Sequence, residues 1–255
     1  MNIREKHYKE LLEKYKKLLI WNDKITEKRS LISTIVNALE EENQPVIFIN
    51  YNEEQFVSSI FKGKYKEIYN ISYSSISDID RNGNNTIYIF DEYSYDYITM
   101  TSVAMLINQR LLKSGYRPLI IIDYFESLYA YNLDETLDEY FKYELLGCID
   151  NTQNIVFISS AVDYVPGSNN QEKIIKVTGL MDAALISEDF LYHGFHGIEW
   201  GHIESVKNIA KSLIGGKKGN QISRTLHDMA TQKLCELSYA YILDFKAGTM
   251  EEFPG

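Results

Sequence analysis

This sequence is short of cysteine, of long apolar runs and of positive charge, and each shortage excludes something. Only Cys148 and Cys235 occur in the 255 residues. They lie far apart in predicted helices and lack a C-x-x-C partner, so two idle thiols in a reducing compartment are expected. The N-terminus is charged and has no apolar h-region, which argues against a signal peptide. No apolar run approaches the ~18 residues needed to span a bilayer. A cytoplasmic protein follows, one that is not inserted directly and meets a membrane only through a complex. With 26 basic and 36 acidic residues the net charge is −10, and the pI is near 5.1. Nucleic acid is therefore not an expected partner, because phosphate binding needs clustered Lys and Arg. The two most basic stretches, Lys6–Lys17 and Gly215–Lys218, read as a solvated helix face and a loop.

Signatures of common chemistry are missing as well. There is no G-x-S-x-G, no H-E-x-x-H and no conspicuous Cys–His pairing. His193, His196 and His202 stand at a spacing that fits no standard zinc pattern, so no metal site is expected.

What is present is a core and a regular alternation of elements. An apolar fraction of 45% suits a globular protein, and the length suits one domain with a small appendage. Ile3 to Lys16 reads as an amphipathic helix, with Ile3, His7, Leu11 and Tyr15 at i, i+4 spacing. Leu18 to Trp21 reads as a strand, and a helix runs from about Thr26 to Glu42. "VIFIN" after Pro45, "TIYIF" (86–90), "PLIIID" (118–123) and "NIVFISS" (154–160) read as buried strands. "KIIKVT" and "AALIS" read as two short ones. Helices are expected over 53–62, 93–114 and 133–147, the second stopped by Gly115. The glycine-rich segment 215–220 reads as a linker, and 221–244 as a closing helix. Apolar strands alternating with helices predict a mostly parallel sheet covered on both faces.

Within this order, "LLIWNDKITEKRSLISTIV" (18–36) has the spacing of the phosphate loop G-x-x-x-x-G-K-[ST] without its glycines. Asn22 and Glu27 occupy the glycine positions and Arg29 the hydroxyl position, while Lys28 keeps its place. The glycines of such a loop let backbone N–H groups close on phosphates. Glu27 would set an anion there instead, at a cost of about 1 to 4 kcal/mol for like charges ~4 Å apart. Arg29 cannot ligate magnesium. Asp123 ends the apolar run "LIIID", where nucleotide-binding sheets carry the acid that holds magnesium through water. It can equally serve as a helix cap or a turn residue.

Further along, "KVTGLMDAALISEDFLYHGFHGIEWGHIESVKNIAKS" (176–212) resembles the α subunit of F-type ATP synthases. Val177, Thr178, Leu185 or Ile186, Glu188, Tyr192, Gly194, Ile198, Gly201 and Ser205 fit that family's pattern, with one extra residue near Leu180. "PLIIIDYFESLYAY" is similar to its A-L-I-I-Y-D-D segment, and the opening stretch falls on G-D-R-Q-T-G-K-T-S. Asp23, Thr26, Lys28 and Ser30 match there, whereas Asn22, Glu27 and Arg29 depart. The matches are collinear over residues 17–245.

The resemblance implies a RecA-like, P-loop-type α/β/α sandwich with a short C-terminal helical extension. It divides the chain into an N-terminal amphipathic helix (1–16), a nucleotide-binding-type core (17–214), and a linker with the start of a truncated helical domain (215–255). The family's N-terminal barrel would be absent. Its interface arginine falls on Val206, with Lys207 beside it, and its second sheet-edge acid falls on Tyr124. Glu53 aligns where catalytic β subunits carry a general-base glutamate. The implied protein is a non-catalytic, degenerate α-like subunit that helps build a rotary-ATPase complex. Its partners would be a catalytic β-like subunit and other subunits, met through surfaces near Tyr192, Trp200 and Lys207. No resident cofactor is expected, and Lys28 and Asp123 would hold ATP or ADP weakly at most. The alternatives are a weak ATPase using Lys28, Asp123 and Glu53, and a free-standing adaptor that kept only the fold.

Overall fold

A computed structural model describes residues 3–22, 25–40, 45–49, 67–71, 86–90, 106–123, 150, 154–159, 169–187, 202–232 and 240–253. The chain divides into two compact units, Met1–Lys16 with Arg29–Phe157 and Lys17–Lys28 with Ile158–Gly255. The fold is a mostly parallel α/β sheet with covering helices.

The first unit opens with α1 (Ile3–Lys14). Tyr8, Leu11, Leu12 and Tyr15 are buried in the chain's own core, while His7 is only half-buried. The apolar stripe is thus used inside the molecule. Most of α2 (Ile25–Glu40) belongs here too, burying Leu31, Ile32, Ile35 and Val36 at helical spacing. Asn37 donates from Nδ2 to Glu5 Oε1 at 3.3 Å, which joins the two helices.

Five strands follow: β2 (Val46–Ile49), β3 (Glu67–Ile71), β4 (Thr86–Phe90), β5 (Leu119–Asp123) and β6 (Ile155–Ser159), the last two residues of β6 falling in the second unit. Their order is β3-β4-β2-β5-β6. Val46 registers with Ile87 on one side and Leu119 on the other, both in parallel. Every described side chain of β2, β5 and β6 is buried, as expected of parallel strands covered on both faces. Sequence periodicity missed β3. "EIYNI" carries Glu67 and Asn70, and its place at the end of the order tolerates polar residues that a central strand does not.

Residues 106–113 are helical, as expected, and end as the sequence predicts. Gly115 has φ of +86°. Its N–H bonds to Leu112 O at 3.0 Å, and Tyr116 N–H bonds to Leu111 O at 3.0 Å. These nested 5→2 and 6→1 bonds close the helix at the one residue without a Cβ penalty.

The second unit holds β1 (Lys17–Trp21), α3 (Asn169–Gly179), β7 (Ala183–Ser187), α4 (Ile203–Ile214), α5 (Gly216–Gln232), β8 (Ala240–Asp244) and β9 (Thr249–Phe253). Its strand order is β1-β7-β8-β9. The first pair is parallel, with Leu18 against Ala183, and the other two are antiparallel. Leu18 to Trp21 are at most 2% exposed. On β9, Glu251 and Glu252 are exposed at the end of the order, where charge discourages edge-to-edge pairing.

Three expectations are corrected in this unit. "KIIKVT" is helix, not strand: Ile174, Val177, Thr178 and Met181 are buried at i, i+3, i+4, i+7 spacing, while Lys176 is exposed. Its β-branched residues suggested a strand, and the 3.6-residue period prevailed. Segment 215–220 is a tight helix–helix corner rather than a linker. Gly215 and Gly216 adopt φ of +65° and +53°, and a Cβ on Gly219 would lie 3.2 Å from Ala210 O and 3.3 Å from Lys211 Cα. These glycines are spent on turning and on close approach. Finally, 221–244 is not one closing helix. Helix α5 stops at Gln232, and a β8–β9 hairpin adds to the sheet instead of a helical extension.

At one edge of this unit Asp182 joins three strands. Lys17 N–H donates to Asp182 Oδ2 at 3.0 Å. Asp182 N–H bonds to Lys17 O at 2.8 Å, and Phe245 N–H to Asp182 O at 3.0 Å. Lys246 forms an ion pair with the remaining carboxylate oxygen. That hydrogen bond, with the Asp182 charge, raises the Lys246 pKa above 10.5.

Two predictions follow from these contacts. A folded-state pKa raised above the unfolded value stabilises the protein fully below 10.5, and the gain is lost as pH rises through the folded value. The lysine is 76% exposed, so Lys246→Ala should cost only about 0.2–1 kcal/mol at neutral pH. Urea titrations should show the gap to wild type closing in strongly alkaline buffer; a gap that widens there would contradict the assignment. Gly248 has φ of +65°, and a Cβ there would sit 2.9 Å from both Ile214 Cγ2 and Lys218 Cδ. Gly248→Ala should therefore lose about 1–3 kcal/mol by thermal or urea unfolding; an unchanged midpoint would refute the close approach.

Candidate functional site

The parallel strands end in two positions that sequence analysis marked for nucleotide chemistry. At the end of β1, Asn22 follows Trp21 and is 9% exposed. Helix α2 begins at Ile25, so the connection is the three residues Asn22, Asp23 and Lys24. A phosphate loop of the expected spacing keeps residues 22–27 out of the helix so that their N–H groups converge. Here Ile25, Thr26 and Glu27 are already helical, and Lys28 and Arg29 continue the same helix. Local chemistry accounts for this. Without glycine at 22 or 27 nothing favours the open, positive-φ conformations of a cradle. A carboxylate in the first turn also complements the helix dipole, by about 0.3–1 kcal/mol. The N–H groups of 25–27 have no intrahelical acceptor, so the helix end keeps an electropositive field with Glu27 in its first turn.

Asp123 is the last residue of β5, at the C-terminal ends of the parallel strands, where open α/β sheets place their ligands. Next to β5 lies β6, shown by the 2.9 Å bond from Ile120 N–H to Asn154 O. Ile155 N–H in turn bonds to Lys16 O at 2.8 Å, at the entrance to β1. Lys28 belongs to the second unit and Asp123 to the first. The structure describes the backbone of both and the side chain of neither, as it does for Glu27 and Arg29.

The other marked residues divide sharply. Val206, at the position of the family's interface arginine, is fully buried in α4. Lys207 is 9% exposed and ion-paired with Glu204 one turn earlier. His202 precedes α4. Glu53, Tyr124, Cys148, His193, His196, Tyr192, Trp200 and Cys235 lie outside the described residues, as do the helices expected over 53–62 and 133–147. Among the described residues no group of three or more His, Cys, Asp or Glu is placed to hold a metal, and no helix is long and apolar enough to cross a membrane. Sequence reading passed over Asp182. Its one signal is a lone acid directly before the apolar run "AALIS".

No protein-family model matches the chain, and no curated protein does. Solved structures do match. The genome packaging NTPase B204 of Sulfolobus turreted icosahedral virus 2, in complex with sulfate, aligns at a TM-score of 0.56 and 11% identity, over 94% of this chain and 96% of that one. B204 of Sulfolobus turreted icosahedral virus, described as a DNA-packaging ATPase, gives 0.55 and 14% over 94% and 97%. The assembled ATPase EscN of the enteropathogenic E. coli type III secretion system gives 0.47 and 8% over 92% and 65%, too slight a likeness to argue from. At these identities the B204 likeness shows the fold, and the resemblance to F-type α subunits rests on sequence.

If the helix start at Ile25 governs the site, ATP should bind weakly. Calorimetry with Mg-ATP should give a Kd no tighter than about 1 mM, equivalent to −4.1 kcal/mol. Glu27→Gly combined with Arg29→Thr should tighten it by freeing the cradle and restoring the hydroxyl. Micromolar binding by the unmodified chain, lost in Lys28→Ala, would overturn this reading.

Proposed function

We propose that this chain is a non-catalytic, α-like component of a multi-subunit, rotary-type ATPase, with a RecA-like frame and a phosphate site that does not turn nucleotide over. The observation that carries the reading is the three-residue passage from Trp21 to Ile25. It leaves too little uncoiled chain to surround a phosphate with N–H groups. The side chains point the same way. Lys28 alone keeps a catalytic-loop identity, and no magnesium hydroxyl follows it. Buried Val206 offers no cation to a neighbour, and Lys207 is already engaged with Glu204. An arginine in that role is worth roughly 10³–10⁵ in rate, and a lysine one residue away points elsewhere on the helix.

A subunit of this kind works by assembly. Its partners would be a catalytic β-like subunit with an intact phosphate loop and further subunits of the same complex, met through surfaces near Tyr192, Phe195 and Trp200. The second reading is an ATPase in its own right that uses Lys28, Asp123 and Glu53. It is favoured by the strand order around Asp123 and by B204, which is described as an NTPase.

A steady-state assay separates the two. Pure protein with Mg-ATP should turn over below about 0.1 per second, under the usual enzyme range of 1–10³ per second, and Lys28→Ala should leave that background unchanged. Purification from its native cell under mild conditions should recover a rotary-ATPase-like subunit with it. Turnover above this level that Lys28→Ala abolishes would establish the ATPase reading, and recovery as a lone monomer would favour the free adaptor.

A further inference from the structure

The net charge of −10 conceals an uneven distribution. Between Ser205 and His227 there are five basic residues and no acidic one, in a chain with 36 acids. The structure folds this segment into the α4–α5 helical hairpin, closed by the glycine corner at 215–219. Its apolar side is spent internally, with Val206, Ile209, Ala210, Ile222 and Leu226 buried. The exposed side carries Lys211, Ser212, Lys217, Asn220, Gln221, Arg224 and Thr225, with the exposed acids Glu204 and Asp228 beyond its two ends. Lys217 and Arg224 are seven residues apart on one face, about 10 Å along the helix axis. Lys211 lies at the corner, where its Cα is 3.3 Å from the position a Cβ on Gly219 would take. Lys207 and Lys218 are engaged, with Glu204 and Ala247 O respectively. By contrast, Lys211, Lys217 and Arg224 make no ion pair among the described residues.

We propose that this face, through Lys211, Lys217 and Arg224, binds the phosphate backbone of duplex nucleic acid. The composition decides between partners. A protein-binding surface centres on aromatic and apolar anchors and is depleted in lysine, and a membrane-binding helix exposes apolar residues that insert. No aromatic or large aliphatic side chain is exposed on this hairpin among the described residues. Single-strand binding needs aromatic platforms for bases, which are absent there too. Cations interspersed with Ser, Asn, Gln and Thr donors are what backbone contacts to a duplex use. The inference does not depend on whether the chain hydrolyses ATP.

Fluorescence anisotropy with a labelled duplex DNA of about 20 base pairs, titrated between about 50 and 200 mM salt, tests this. The intact chain should bind at low salt and weaken steeply. Lys211→Gln, Lys217→Gln and Arg224→Gln combined should bind at least tenfold more weakly at low salt, with a salt slope shallower by about 2.7, or 0.9 for each phosphate contact. A control with the same charge change on the first unit, Lys6→Gln, Lys113→Gln and Arg117→Gln, should keep the wild-type affinity. No binding by the intact chain, equal losses in both triple variants, or binding to phosphatidylserine vesicles but not to duplex would each overturn the proposal.

Discussion

The second unit depends on how β1 is held against β7, and one carboxylate sets that register. Asp182 exchanges backbone hydrogen bonds with Lys17 and Phe245, and its side chain receives the Lys17 N–H and the Lys246 ammonium. The strand that follows Lys17 is apolar at every position and almost wholly buried. A uniform run of Leu, Leu, Ile and Trp carries no alternation by which to choose its own register. The polar anchor at its start supplies what the apolar run lacks. With Leu18 fixed against Ala183, Trp21 falls against Ile186. The point where the chain leaves the sheet for α2 is then fixed as well.

That exit point is where fold and function meet. A strand running into a helix is common to proteins that hold phosphates and to proteins that do not; the difference lies in the residues between. Here Ile, Thr and Glu can all continue a helix, and no glycine interrupts them. Elsewhere among the described residues glycine takes most positions of special backbone geometry, at Gly115 to close a helix, at Gly215 and Gly216 to reverse one, and at Gly219 and Gly248 for close approach, while Asn154 holds a φ of +58° without it. Its lack at 22 and 27 is therefore specific to this connection, in a chain that places it readily at other turns.

The parts of the fold legible in the sequence were those governed by burial. "VIFI", "TIYIF", "LIIID" and "IVFIS" are strands where their apolar runs place them, because a strand covered on both faces has no polar side to hide it. What escaped was governed by tertiary context. "EIYNI" is too polar to stand out, and it pairs because β4 offers an edge. "KIIKVT" has the composition of a strand and the spacing of a helix. Gly215–Gly219 has the composition of a linker, yet serves as a close contact between two helices. "AYILD" and "TMEEF" form a hairpin that no turn dipeptide announced. At the candidate site, the positions of Lys28 and Asp123 could be read from spacing. The start of α2 was legible too, at about Thr26 against the observed Ile25, which is as close as helix boundaries are defined.

The proposed function turns on the connection from β1 to α2, which is already helical at Ile25. Amide hydrogen exchange across residues 22–30, with and without Mg-ATP, tests it most directly. In a helix starting at Ile25, the N–H groups of 25–27 lack intrahelical acceptors, while those of Lys28 and Arg29 are the first to be bonded. Protection should begin at Lys28 in the free protein and stay unchanged when millimolar Mg-ATP is added. New protection at residues 23–27 on adding nucleotide would mean that the connection closes around phosphate, and would contradict this reading.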